Sequence, residues 1–166
     1  ILVKSQNPLE PLAVAKTLKK IVEKENPDLV LMGKQAIDDD ANQTGQILSA
    51  LLNWPQGCFI SSLKIEGNKV LISREIDEGI ENLETKLPAV LTCDLRLNTP
   101  RFASLPNIMK AKKKPLDMID IDTLEIDTST KIKTLKVIEP PKRKAGVMVN
   151  DVKELVEKLK YEAKVI

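Results

Sequence analysis

The chain has 166 residues, 26 lysines and arginines against 24 acids, and no histidine. Its length suits one domain, and a net charge of only +2 leaves no global pull towards nucleic acid or membrane, so electrostatic partners must be read from local patches. Without histidine there is no Ser-His-Asp or Cys-His catalysis and no histidine-held metal.

Hydrophobic residues make up 42% of the chain and aromatics 2%, so the core must be aliphatic. Cys58 and Cys93 lie far apart, with neither CxxC spacing nor metal-site partners, and read as buried thiols of a reducing compartment. No apolar run approaches the ~20 residues of a membrane span, and no signal peptide is visible.

Ile1-Leu2-Val3 reads as the end of a strand, and as the opening of a fragment whose earlier part is missing. Asn7-Pro8 and Pro11 then start a helix. Val14, Leu18, Ile21 and Val22 follow at helical spacing, and Asn26-Pro27 ends it. Leu29-Val30-Leu31-Met32 is a continuous apolar run, as in a parallel strand buried on both faces. A second helix fits Asn42 to Asn53 and stops at Trp54-Pro55-Gln56-Gly57. Helix, strand, loop, helix is the rhythm of a doubly wound α/β fold.

Phe59 to Ile65, Lys69 to Ile76 and Ile80 to Lys86 then read as three antiparallel strands. They are separated by the turn signals Glu66-Gly67-Asn68 and Asp77-Glu78-Gly79. Pro88 to Asp94 returns to a buried strand. Residues 95–115 are mostly loop, with a short helix at Pro106 to Lys112. Leu116 to Thr130 alternates acids with Ile and Leu and has no assignment. Lys131 to Ile138 reads as a strand with one wet face, although Ile132 and Ile138 break its alternation. Pro140-Pro141-Lys142-Arg143-Lys144 reads as an extended linker, and Asn150 as the cap of a last helix, Asp151 to Tyr161. The expected architecture is one α/β domain over residues 1–166. It has a partial doubly wound parallel sheet with helices on both faces, an added antiparallel meander, and a C-terminal arm and helix over 139–166.

Two loops carry the functional signal. Gly33-Lys34-Gln35-Ala36-Ile37-Asp38-Asp39-Asp40-Ala41-Asn42-Gln43-Thr44-Gly45-Gln46 leaves the C-terminal end of a strand and enters a helix N-terminus. Ligands bind at that place in open α/β sheets, and unpaired helix amides attract anions there. The string is neither a Walker A loop nor GxGxxG. On its residues alone it reads equally well as a nucleotide site or as a polar loop with an Asn cap. The three aspartates oppose a bare phosphate pocket unless they face away, accept ribose hydroxyls or hold the loop in shape. They lack the alternating spacing of an EF-hand. The second loop places Lys110, Lys112, Lys113 and Lys114 after Leu105-Pro106-Asn107-Ile108-Met109. It reads as a solvated lysine run, as a nucleic-acid patch without aromatics or suitable arginines, or, fitting better, as a docking loop with Leu105 as apolar anchor and lysines steering an acidic partner. Glu75 reads as a strand-surface carboxylate.

Both strings, and also Asn53 to Gly57, Arg74 to Asp77 and Asp94 to Asn98, resemble the C-terminal two-thirds of electron-transfer flavoprotein β subunits, in the same order and separation. The resemblance implies that Gly33 to Thr44 wraps a structural AMP. The amides of Ala36 and Asp39 and the Asn42-Gln43-Thr44 segment would hold its phosphate. It implies FAD mainly on an α subunit partner, and residues 95–115 as the loop that recognises acyl-CoA dehydrogenases. Leu105, Pro106, Ile108, Met109, Lys110 and Lys113 would make that contact, and the resemblance implies methylation, in some members, of the lysines that match Lys110 and Lys113. Glu75 would face the flavin domain of the other subunit. A non-catalytic subunit of an electron carrier is thus expected, passing electrons from acyl-CoA dehydrogenases towards the respiratory chain. It would have no nucleic-acid partner and no membrane insertion, and would lie in the mitochondrial matrix, or in the cytoplasm of a bacterium. The alternative is a stand-alone adenine-nucleotide-binding regulatory domain.

Overall fold

The structure is a computed structural model that describes residues 1–142 and 145–166. Two compact units divide it, residues 1–131 and 132–166.

The first unit is α/β. Strand β1 (Leu2–Lys4) is followed by α1 (Pro11–Glu25), β2 (Leu29–Gly33), α2 (Thr44–Leu52), β3 (Gln56–Glu66), β4 (Lys69–Ile76), β5 (Gly79–Lys86) and β6 (Ala89–Cys93). The helix α3 (Leu105–Ala111), strand β7 (Met118–Asp120) and a 3-10 turn at Ile121–Leu124 complete it. Five strands form one sheet in the order β2-β6-β3-β4-β5, and β1 pairs with β7 in a second. Pro11 begins α1, where its missing N–H costs nothing. Asn26 ends α1 in the left-handed conformation, donating its backbone N–H to the Val22 carbonyl.

The sheet changes character within β3. Gln56, Gly57 and Ile60 pair in parallel with β6, whereas Ile60 and Ser62 to Glu66 pair antiparallel with β4. The parallel register shifts between Gly57 and Ile60, at a bulge that contains Phe59, whose φ is +60°. Its freed backbone N–H donates to Thr92 Oγ1 at 3.0 Å, so the bulge is anchored to the buried neighbouring strand β6. Beyond it, the expected meander β3-β4-β5 is present. Arg74 lies opposite Glu81 and donates to it from Nε at 2.6 Å.

Alternation along β6 builds two cores. Val90 points towards the helices and packs with Ala15 of α1 and Leu48 of α2. Leu91 points the other way, into a cluster with Ile60, Val70 and Ile72 of the meander. The apolar run of β2 is not buried on both faces, as its continuity implied. It is an edge strand, and Leu31 is 51% exposed. The fully covered parallel strand is β6, flanked by β2 and β3. Cys58 and Cys93 are free and half-buried rather than buried, and burial pushes both thiols up from their ordinary value.

Leu116 to Thr130 acquires its structure from a distant partner: Met118 to Asp120 pair with Leu2 to Lys4. Such a short pairing leaves no periodic trace in sequence.

The strand expected at Lys131 to Ile138, which falls in the second unit from Ile132 onwards, is absent. Leu135 and Val137 are exposed, and alternation without a sheet edge to join does not make a strand. Asp151, not Asn150, is the N-cap of α4 (Val152–Glu157), accepting from the Glu154 N–H at 2.7 Å. Glu154 in turn accepts from the N–H of Asn150, the residue before the cap, at 2.9 Å. A π-helical stretch, Lys158–Ala163, continues the last helix past its expected end. The expected linker at Pro140 to Lys144 lies in part outside the described residues, at Arg143 and Lys144.

The ends of β2, β6 and β4 meet at Asp94, which is 7% exposed. Lys34 Nζ donates to it at 2.8 Å, and Arg96 donates through both its backbone N–H and its Nε at 3.0 Å. Arg96 also donates to Glu75 at the end of β4. The Lys34 hydrogen bond, followed by those from Arg96, holds the Asp94 carboxyl well below the usual carboxylate range.

This packing sets two expected outcomes. A Cβ at Gly45 would lie 2.3 Å from Thr92 Cγ2, and Thr92 is stiff, buried and bound to Phe59. Gly45→Ala should therefore destabilise the chain by about 1–3 kcal/mol in denaturant melts. Asp94, with its folded pKa depressed, contributes stability that is complete above the unfolded value of about 3.9 and is lost as pH falls through the folded value. Melts across an acid pH series should show wild-type stability falling below about pH 4, with a shallower slope in Asp94→Asn. An unchanged slope would remove Asp94 as its source.

Candidate functional site

The loop from Gly33 to Thr44 spans the gap between the end of β2 and the start of α2. Its own side chains hold its shape. Asp38 Oδ1 accepts from the Asp39 N–H at 3.0 Å, and Asp39 Oδ1 from the Ala41 N–H at 3.0 Å. Gln35 Nε2 donates to Asp40 Oδ1 at 2.9 Å. Asp40 and Asn42 take left-handed backbone angles, φ +48° and +53°, which Asp and Asn tolerate better than other side chains. Of the roles open to the aspartates, shaping the loop is therefore visible. The Asp39 amide, which the resemblance assigns to phosphate, here donates to Asp38. Ile37 projects into solvent.

The loop lines a cavity of about 360 Å³, within the size range of small-molecule sites, about 300–1,000 Å³. Its lining includes the apolar residues Leu9, Pro11, Val14 and Met32. It also includes the polar residues Asn42, Gln43 and Thr44, where α2 begins. The helix begins without a side-chain cap. Gln43 is its N-cap residue and makes no capping bond, while the Asn42 side chain bonds Gln35 and Gln46 at 3.5 Å. The ordinary Asn-capped loop is thus not what forms. The first backbone bond to Gln43 comes from Ile47, so the preceding amides carry the partial positive charge of a helix start. Gly45 does not make room for a ligand alone, because its bare Cα is what lets α2 sit on Thr92.

A second cavity, of about 270 Å³, is lined by Lys34, Asn42, Phe59, Glu75, Asp94 and Arg96. Lys34 and Asn42 line both cavities. Sequence reasoning does not single out Phe59, and it places Asp94 and Arg96 only in the string that resembles a partner-recognition loop, not in a ligand cavity. The available signal is an acid and an arginine two residues apart just after a buried strand, where parallel sheets carry their sites.

The helix α3 presents Leu105, Ile108 and Met109 at i, i+3 and i+4, hence on one face. None of its residues is buried, and Leu105 is 72% exposed. Pro106 stands in its first turn. Lys110 lies in its last turn, and Lys112, Lys113 and Lys114 follow it, all exposed. An exposed apolar stripe beside a cluster of cations has the composition of a docking surface. Glu75, half-exposed, is paired with Arg96. Among the described residues no helix is long and apolar enough to cross a membrane.

The sequence matches the electron transfer flavoprotein domain over residues 2–124. It is 55% identical over its full length to the electron transfer flavoprotein subunit beta of Bradyrhizobium diazoefficiens, covering 67% of that protein. It is 55% identical over 159 residues, 96% of the chain, to the mitochondrial subunit beta of Oryza sativa subsp. japonica, covering 63% of it. With the Homo sapiens subunit beta it shares 56% identity over 152 residues, 92% of the chain and 60% of the relative. The chain therefore spans about 60–67% of the length of these relatives. A domain match over most of the chain and this level of identity lead to one conclusion: the chain belongs to the electron transfer flavoprotein family, on its β-subunit side.

Proposed function

We propose that this chain is the nucleotide-holding, non-catalytic part of a heterodimeric electron carrier. In this reading it holds AMP in the loop 33–44, pairs with an α subunit that carries most of the FAD, and docks through α3 onto acyl-CoA dehydrogenases. Electrons then pass from the dehydrogenase to the carrier and on towards the respiratory chain. The observation that carries the proposal is the uncapped start of α2 opening into the loop cavity. The helix amides and the side chains of Asn42 and Thr44 suit a phosphate, and Leu9, Pro11, Val14 and Met32 suit the flat apolar face of a base. FAD, when bound, supplies the redox chemistry. This chain's residues supply position and recognition.

The matrix or, in a bacterium, the cytoplasm is the compartment that fits this role, since both mitochondrial and bacterial relatives exist. A stand-alone regulatory domain would leave the apolar stripe of α3 without a purpose, which favours the docking subunit.

Asn42→Asp preserves a residue type that accepts the left-handed angle and adds a negative charge to the cavity wall. At an effective dielectric of ~20, that charge should oppose a phosphate by roughly 2–4 kcal/mol. Nucleotide released from the purified heterodimer, measured by mass spectrometry, should fall to a small fraction of wild type; undiminished AMP would remove the loop from the proposal.

Leu105→Ala should weaken dehydrogenase binding by about 2 kcal/mol, roughly thirtyfold, mainly through faster dissociation. Neutralising Lys110 and Lys113 should instead slow association, by a margin that shrinks as salt is raised. Binding kinetics at two ionic strengths separate the two effects, and wild-type binding by Leu105→Ala would end the docking assignment.

A further inference from the structure

The polarity of the loop cavity is unusual for a phosphate site. Among the described residues that line it, Lys34 is the one cationic side chain, and Asp38 and Asp39 line it as well. Lys34 is not at the cavity's disposal, because its ammonium group is held by Asp94 at 2.8 Å. Asp94 is in turn held in place by the backbone and side chain of Arg96. Sites for nucleoside triphosphates commonly use a lysine to reach the outer phosphates. Here the lysine in that neighbourhood is already neutralised, and what remains on the cavity wall is two carboxylates and the partial charge of one helix start.

We propose that the Lys34–Asp94 ion pair, together with Asp38 and Asp39, sets the charge selectivity of the loop, admitting a nucleotide with a single phosphate group and disfavouring di- and triphosphates. The inference rests on the nucleotide reading of the loop and adds to it the residues that discriminate. One phosphate group can be met by the α2 amides alone. Each further phosphate brings negative charge towards Asp38 and Asp39, while the lysine that could offset it is engaged by Asp94. The carboxylates remain because the turn uses them: each accepts a backbone N–H that shapes the loop.

Two variants test this in the assembled subunit by different routes. The double variant Asp38→Asn/Asp39→Asn keeps an amide oxygen for each turn bond and removes both charges. Asp94→Asn leaves the cavity wall untouched and frees the charge of Lys34. Affinities for AMP and for ATP are measured by calorimetry on nucleotide-stripped protein. Wild type should prefer AMP, and in each folded variant ATP should gain on AMP by about tenfold, the scale of one unit charge acting over several ångströms at a protein surface. The double variant serves on its own if Asp94→Asn does not fold. If wild type binds AMP but the AMP-to-ATP preference is unchanged in the variants, the selectivity mechanism is wrong and the nucleotide site stands. If wild type binds ATP as well as it binds AMP, the selectivity proposal fails outright. If it binds neither, the nucleotide reading and the proposal fall together.

Discussion

A charged carboxylate with little access to water must be matched by cations and hydrogen-bond donors, or the fold loses stability. Asp94 meets that condition at the C-terminal end of β6, and its solution ties together three parts of the chain. Lys34 arrives from the end of the edge strand β2, Arg96 from the turn just beyond β6, and Glu75, through Arg96, from the end of β4. Edge strands fray readily because half their backbone groups are unpaired. Here the residue that leaves the edge strand is pinned to the strand buried beside it. The loop that follows is thereby held at its root, and the helix that follows the loop starts from a defined place.

The rest of the site inherits that definition. Thr92, immediately before Cys93 and Asp94 on β6, holds the bulge at Phe59 and receives the bare Cα of Gly45. One buried strand thus positions the start of α2, the kink in β3 and the ionic cluster. The helix α3 follows a different logic. It has a short backbone, a proline in its first turn and no buried residue, so its apolar face is offered rather than spent on this chain's own core. A rigid scaffold carrying loops that contact partners is the common arrangement in α/β proteins.

Much of this fold is legible in the amino-acid sequence. The periodicity of α1, the terminal Asn26 and Asn53, and the meander strands with their Gly67 and Gly79 turns all stand as local patterns, and the folded chain follows them. The loop 33–44 can be placed because the strand-to-helix position is itself a signal. What resists reading is what depends on distant partners. Leu29 to Met32 has the pattern of a strand buried on both faces, because apolar continuity does not reveal where in a sheet a strand lies. Met118 to Asp120 become a strand only through Leu2 to Lys4. Lys131 to Ile138 alternate like a strand but meet no edge. The Asp94 cluster joins residues up to 60 positions apart, and no short window of sequence holds both halves. The cap of the last helix lies at Asp151 rather than Asn150, a one-residue difference that only the geometry of the Glu154 bonds decides.

The two half-buried thiols have a consequence for how the chain behaves as an acid and a base. Histidine is the side chain whose ordinary pKa lies between about 5 and 8, and this sequence contains none. A cysteine could have entered that window if a neighbouring cation or helix start had pulled it down; burial pushes Cys58 and Cys93 the opposite way. Neither histidine nor cysteine therefore gives this chain buffering capacity around neutrality.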